Sequence, residues 1–535
     1  MFRRIWLASL TSNLGLMVMG VGAAWAMTEM TNSPEMVALV QASLMLPIAL
    51  VSAPAGAAAD MFDRRIVALI ALSISFTGAC MMTLLAWYGA LSPSALLAFC
   101  FLIGCGMALM GPSWQASVSE QVPAQDLPAA VALNGISWNL ARSFGPAIGG
   151  AIVAAFGATA AFANNALFYA PLMIVLFMWR REREASRLPP ERLARAVVSG
   201  VRYIVYSLPI RIVLIRTMVT GVLGGSILAL MPIVTRDLLN GNARDFGVML
   251  GAFGVGAVIG ALNVSNLSSR LGAERAIRLS AVAMGAGIAV VAASQSKIVS
   301  GIALLVAGAG WTASVTLFNV GIQLVAPRWV SGRALAAFQA SISGGVAAGA
   351  WLWGATAKAV GVSDALLIAS FSLALSAGLG RWMRIPQVKG PTEQTLEALE
   401  DPEMRLQLTA RSGPIVVEIE YRVEPKQARL FYAVMQQVQH SRQRNGAYGW
   451  SIARDIADPE LWTERYHCPT WLDYLRQRNR PTDAERALHT RAQEFHIGPE
   501  PIRIRRMLER PVGSVRWKEE TPDRSGADEA AIVGP

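Results

Sequence analysis

The chain has 535 residues, 53% hydrophobic and only 16% charged, with a mean hydropathy of +0.41 and a formal net charge of +11. A water-soluble globule cannot hide that apolar share, so a membrane protein is implied. The basic excess does not signal nucleic acid, because the arginines before residue 384 sit in short clusters between apolar runs, as loop charges that set membrane orientation do.

A bilayer core of about 30 Å is crossed by roughly 20 apolar residues in a helix. Twelve segments meet that need: 6–28, 36–58, 66–89, 94–118, 130–156, 160–179, 211–235, 246–268, 276–294, 299–324, 333–357 and 363–383. The first, preceded by Arg3 and Arg4, has the look of a signal peptide but is long enough to span. Asn13 on this segment and Gln41 on the second are polar groups at membrane depth, candidates to line a transport cavity. On the fourth, Gly104, Gly111 and Gln115 align at about 100° per residue. On the fifth, Asn134, Trp138, Arg142, Gly145 and Gly149 share an arc of about 80°. A charged arginine at a helix centre costs roughly 2.5–3.5 kcal/mol, so Arg142 is expected to face a cavity or a partner helix. Cys80, Cys100 and Cys105 fall in apolar runs and Cys468 stands apart, so free thiols and no metal site are expected.

After the sixth segment, residues 191–208 read as an amphipathic helix, with Leu193, Val197, Val201, Ile204 and Leu208 on one face and Glu191, Arg195 and Arg202 on the other. Such a helix is expected to lie on the membrane surface. In the tenth segment Thr312, Thr316, Asn319 and Gln323 align. Sliding the sequence against itself by 204 residues pairs Gly104 with Gly308, Gly106 with Gly310 and Pro123 with Pro327. The same register pairs Gly145 with Gly349, Gly150 with Gly354 and Gly157 with Gly361, and also Gln115 with Asn319. The fold expected is therefore membrane all-α, two related six-helix halves with a site between them. The clusters at Arg3 and Arg4, Arg64 and Arg65, 180–202, 270–278, and Arg328 with Arg333 lie on one side, which places both termini in the cytoplasm.

Beyond the last span, residues 415–510 alternate as strand, helix, strand, strand, helix, strand, the order of a ferredoxin-like α+β domain. The expected organisation is a first bundle at 1–180, a linker at 181–210, a second bundle at 211–385, a linker at 386–411, the soluble domain at 412–517 and a disordered tail at 518–535. All four histidines fall in the soluble domain, and His489 and His496, about 10 Å apart if one continuous helix carries both, are then too far apart to share a metal ion. The domain also resembles small dimeric α/β-barrel monooxygenases, so an enzymatic or ligand-sensing role stands as the alternative to a regulatory or dimerising module. No cofactor is called for.

The loop after the second span, Gly56, three alanines, Asp60, Met61, Phe62, Asp63, Arg64 and Arg65, resembles the signature loop of the major facilitator superfamily. That resemblance implies a cytoplasmic latch role for Gly56, Asp60, Arg64 and Arg65, and for Arg270 and Arg275 at the related position of the second half. Gly145, Pro146, Gly149 and Gly150 resemble the core of the motif of the superfamily's antiporters, whose small residues let helices approach closely. The run from Pro123 to Gly150, its counterpart from Pro327 to Gly354, and tail residues Arg444, Gly446, Trp450, Glu464, Trp471, Gln477, His496 and Gly498 resemble the branch of enterobactin exporters and transmembrane secretion effectors. What this implies is a transporter, not an enzyme, exporting a siderophore, natural product or drug across the cytoplasmic membrane with protons as counter-ions. The cavity candidates are Asn13, Gln41, Gln115, Asn134, Arg142, Asn319 and Gln323; import is the alternative direction.

Overall fold

The computed structural model describes residues 2–179, 193–385, 406, 408–479 and 482–509. The linker charges at 181–191, the linker at 386–405 and the tail at 518–535 therefore lie outside the described residues, as does the side chain of Asp60.

Among the described residues eleven helices are long and apolar enough to cross a bilayer. They are α1 (Phe2–Met30), α2 (Pro34–Met61), α3 (Arg64–Trp87), α4 (Pro93–Gln121), α5 (Leu127–Met178), then, after the short α6 (Leu193–Tyr206), α7 (Leu208–Ile233), α8 (Ala243–Leu271), α9 (Ala273–Ala293), α10 (Lys297–Val325), α11 (Arg328–Val360) and α12 (Val362–Ser376), which reaches the length of a crossing, 20 residues, with the 3-10 turn Ala377–Arg381 that continues it. Local signals start them where water ends: Asp63 caps α3, Ser92 caps α4 with Pro93 in its first turn, and Asn242 with Asp245 forms a capping box on α8.

The 52 residues of α5 are too many for one crossing, and at Gly157 the backbone turns to φ 79°, ψ 170°, outside helical geometry. Before that point Gly145 packs on Met17 and Gly149 on Val18 and Val21; after it, Ala161 lies against Gly22 and Phe168 against Gly15. The two arms thus run antiparallel along α1. Gly361 makes the same turn between α11 and α12, at φ 94°, ψ 160°.

The repeat is visible in packing. Gly104 on α4 abuts the α2 carbonyls of Ser43 and Leu44, and Gly308 on α10 abuts α8 at Phe253. Gly106 meets α3 at Ala71 and Ser75, and Gly310 meets α9 at Ser280 and Met284. Gly145 meets α1, Gly349 meets α7 at Val222; Gly150 meets α8, Gly354 meets α2. Each glycine of one half occupies the seat of its partner 204 residues away.

The C-terminal domain carries a four-stranded antiparallel sheet of β1 (Ile415–Arg422), β2 (Tyr448–Arg454), β3 (Leu461–Cys468) and β4 (Arg503–Leu508) in the order β2-β3-β1-β4. Helix α13 (Ala428–Arg444) links β1 to β2, and α14 (Trp471–Asn479) with α15 (Asp483–Gln493) links β3 to β4. Val417, Ile419 and Tyr421 alternate onto the buried face with Phe431, Val434 and Val438 of α13. The chain forms two compact units; α6 from Ala194 and the α10–α11 connection Leu324–Ser331 group with this domain, and the long helices make up the other.

Candidate functional site

The two halves of the helical unit meet through small residues. A methyl on Gly150 would lie 2.7 Å from the α8 backbone at Gly247, and one on Gly254 would lie 2.9 Å from the Cα of Ser143 and 2.7 Å from the carbonyl of Arg142. Ser143 Oγ donates to the Gly254 carbonyl at 3.3 Å. Gly145, Pro146, Gly149 and Gly150 are all buried, so this stretch of α5 is a close-packed surface against α1 on one side and α8 on the other.

Polar contacts seal one end of this seam. Lys358 of α11 pairs with Glu35 of α2 at 2.9 Å, and Arg236, beyond α7, donates to the Thr28 carbonyl of α1 at 2.7 Å. Gly354 lies against Ala38, and Trp25 stacks on Phe246 with ring centroids 6.1 Å apart. Toward the opposite end α5 loses its neighbours: nothing lies within 4 Å of a methyl built on Gly135, or on Gly332 of α11 or Gly56 of α2. Val131, Ile136 and Trp138 are exposed there, and among the described residues α1 keeps polar contact, through Trp6 Nε1 to the Leu133 carbonyl and Asn13 Nδ2 to Ser137 Oγ. Among the described residues, the helical unit is therefore shut at the Glu35–Lys358 end and open at the end where Arg3, Arg64 and Arg270 lie.

Arg142 sits where the close-packed and the open parts of α5 meet. Its backbone presses on Gly254 while its half-buried guanidinium has no hydrogen-bond or ion-pair partner among the described residues. Two turns earlier, Asn134 encloses an unpartnered Oδ1. On α10, Gln323 Nε2 donates to Asn319 Oδ1 at 2.5 Å, and Thr312 Oγ1 is buried without a partner. Gln115 is exposed and Gln41 half-buried. The structure thus joins Asn13 to α5 and Asn319 to Gln323; Gln41 and Gln115 hydrogen-bond to none of the other candidates.

The signature-loop residues make contacts inside the first half. Arg64 Nη1 pairs with Glu120 Oε1 at 2.8 Å, and Arg65 donates to the Phe177 carbonyl with its guanidinium 5.9 Å from that ring. In the second half Arg270 and Arg275 are exposed, and the charge cluster forms instead on Glu274. Glu274 takes Arg216 of α7 at 2.7 Å, Arg278 at 3.1 Å and the Ile385 amide at 3.2 Å, while Arg216 also donates to the Met383 carbonyl at 3.0 Å and lies over Phe318. Sequence reasoning missed Glu120, Arg216 and Glu274. Arg216, the second of two arginines in the seventh apolar run and the deeper in it, was the available signal.

The profile of the transmembrane secretion effector family matches residues 1–512. The chain belongs to that family of major facilitator transporters. As a transmembrane secretion effector it is similar to the staphyloferrin A transporter of Staphylococcus aureus, 24% identical over 51% of this chain and 68% of that protein. It is also similar to the multidrug efflux pump Tap of Mycolicibacterium fortuitum, 23% identical over 69% of this chain and 92% of that one. Among solved structures, the nucleoside transporter NupG aligns with 72% of this chain and 99% of its own at a TM-score of 0.56 and 13% identity, a likeness of fold alone. Family membership makes the protein a transporter and not an enzyme.

This family member's C-terminal domain has a buried polar centre that the sequence did not reveal. Glu464, fully buried, accepts from Arg442 Nε at 3.0 Å, Trp450 Nε1 at 3.0 Å and Tyr421 OH at 3.3 Å, with Arg442 4.7 Å over the Tyr466 ring. Burial, reinforced by Arg442 and Arg444, holds the His489 imidazole down to about 3, so it is neutral at physiological pH. Among the described residues no group of three metal-ligating side chains occurs.

Proposed function

We propose that this transporter is an alternating-access exporter of a small amphipathic molecule bearing an anionic oxygen group. The observation that carries the reading is Arg142, a cation at membrane depth, half-buried, unpaired and lying where the sealed part of the seam gives way to the open part. An arginine there costs roughly 2.5–3.5 kcal/mol unless water, a partner or a ligand compensates it. With no acidic partner among the described residues, a carboxylate or catecholate-like oxygen pair matches its planar fork. Asn134, Asn13, Gln115, Gln41, Asn319 and Gln323 are the neutral polar groups proposed to share the cavity, and the exposed Trp138 offers apolar contact. Export is favoured by the GPxxGG stretch of α5 and by relatives named for efflux and for staphyloferrin A.

In this reading the reversal at Gly157 makes twelve crossings in two six-helix halves, and the arginine clusters put the open end and both termini in the cytoplasm of a bacterial inner membrane. Sealing at the Glu35–Lys358 end then makes the structure inward-open. Asp60, Arg64 and Arg65 form the first-half latch together with Glu120, and Glu274 takes that part in the second half. Protons are the proposed counter-ion. The C-terminal sheet order is that of a ferredoxin-like domain with a regulatory role.

The test is efflux normalised to membrane abundance. Arg142→Lys should insert normally yet export about tenfold more slowly, since it keeps the charge and loses the fork, about 1.4 kcal/mol in transition-state terms. Arg142→Ala should be worse. Wild-type efflux by Arg142→Ala would make Arg142 a packing residue and remove the anionic-group assignment.

A further inference from the structure

Helix α6 has two unlike faces. Val198, Val201, Val205 and Leu208 are each more than half exposed, as suits a helix lying on a membrane. Tyr203, between them in sequence and turned the other way, is only 3% exposed. What buries it is the C-terminal domain. The Arg444 guanidinium lies 5.7 Å over the Tyr203 ring, and burial with the nearby Glu485 carboxylate pushes the Tyr203 hydroxyl above its usual range.

Arg444 is itself fixed. Its Nη2 pairs with Glu485 Oε1 at 2.7 Å, and the same carboxylate accepts from Ser441 and Asn445 and closes a capping box with Thr482 at the start of α15. Next along α6, Arg202 Nη2 lies so close to the turn entering β2 that a methyl on Gly446 would be 2.9 Å from it. The seat for α6 is thus a built surface, formed by the end of α13, the turn into β2 and the start of α15. The same compact unit takes in Leu324–Ser331, the chain that leads into α11. Only Ser207 separates α6 from α7 in the chain. The unit therefore holds the stretches that enter two helices of the second half, and α11 supplies Gly354 and Lys358 to the sealed end of the seam.

We propose that the C-terminal domain is a conformational clamp: by gripping Tyr203 of α6, and with it the chain entering α7 and α11, it favours the state in which the Glu35–Lys358 end is shut. A contact made in one state and weakened in the other shifts the balance between them by its differential free energy. The inference rests on the alternating-access reading above and is independent of what is transported.

The experiment uses the full chain in membrane vesicles, its four cysteines replaced and a single cysteine introduced as Ala38→Cys. Ala38 is fully buried in the sealed end. A membrane-impermeant maleimide reaches it only when that end opens, so the labelling rate reads the population of the other state. Tyr203→Ala, which removes the ring under Arg444, should raise the rate about threefold to thirtyfold, the range from an exposed to a desolvated cation–π contact. Tyr203→Phe, which keeps the ring, should leave it near the parental value. The chain ended after Gly390, lacking the clamp, should label at least as fast as Tyr203→Ala. Parental labelling rates in both Tyr203→Ala and the shortened chain overturn the proposal. Failure of the export reading would appear as absent efflux with the labelling differences intact, so the two are distinguishable.

Discussion

Three arginines show how one residue type takes three roles by its surroundings. Arg216 is buried but bound by Glu274 and a carbonyl; Arg442 is half-buried and bound by the fully buried Glu464; Arg142 alone of these has neither among the described residues. Removing one partner of a buried pair leaves the other charge stranded, at a cost of about 3–5 kcal/mol. Glu464→Ala should therefore cost the C-terminal domain about that much, seen in the full chain as faster hydrogen exchange across β1 and β3. Unchanged exchange would mean that water replaces the carboxylate. His489 gives a pH dependence with a definite sign. Its folded value, about 3, is far below the usual 6.5 or so of the unfolded chain, so the unfolded state binds the extra proton. Its contribution to stability is complete above about pH 6.5 and is lost as pH falls from there toward 3. His489→Gln should flatten the acid limb of domain unfolding, measured by the same exchange between pH 4 and 7; an identical limb would place the titration elsewhere. The sequence marked Arg142 because a charge in an apolar run is conspicuous. It could not mark the Arg216–Glu274 pair, whose members are 58 residues apart and meet only through tertiary packing. It placed the second-half latch on Arg270 and Arg275, one turn and one residue from the glutamate around which the charges gather.

At the scale of elements, most of the helical architecture could be read from hydropathy and from the 204-residue repeat, because both follow from bilayer thickness and from glycines that only close packing requires. What could not be read is which glycines are tight. Gly308 has a backbone carbonyl of α8 only 2.0 Å from where its methyl would go, whereas nothing lies within 4 Å of one on Gly111. Gly308→Ala must push α10 from α8, and a loss of about 1–3 kcal/mol is expected, as for other overpacked sites. Gly111→Ala should be near neutral. Melting of the detergent-purified chain checks both, and equal melting points would contradict the packing described for α8 and α10. The four strands of the C-terminal sheet were legible because apolar and polar residues alternate along β1 and β4; the seat for α6 was not, since Tyr203 in an amphipathic helix reads as one more interfacial aromatic.

For the whole molecule, the account is that two halves joined through small residues rock about the seam of α5 with α8 and α2 with α11, exposing the Arg142 region to one side at a time. Holding one end shut should then stop the cycle. A methyl built on Gly354 falls 2.8 Å from the Ala38 Cβ, so cysteines at these two sites reach the bridging separation of about 3.5–4.5 Å with a small relaxation. The decisive measurement is efflux of a fluorescent amphipathic carboxylate from preloaded, energised cells carrying Ala38→Cys with Gly354→Cys on a background without other cysteines. Oxidation should abolish efflux and a reductant should restore it to the rate of the unbridged chain. Efflux at the unbridged rate with the disulfide fully formed would contradict the rocking account.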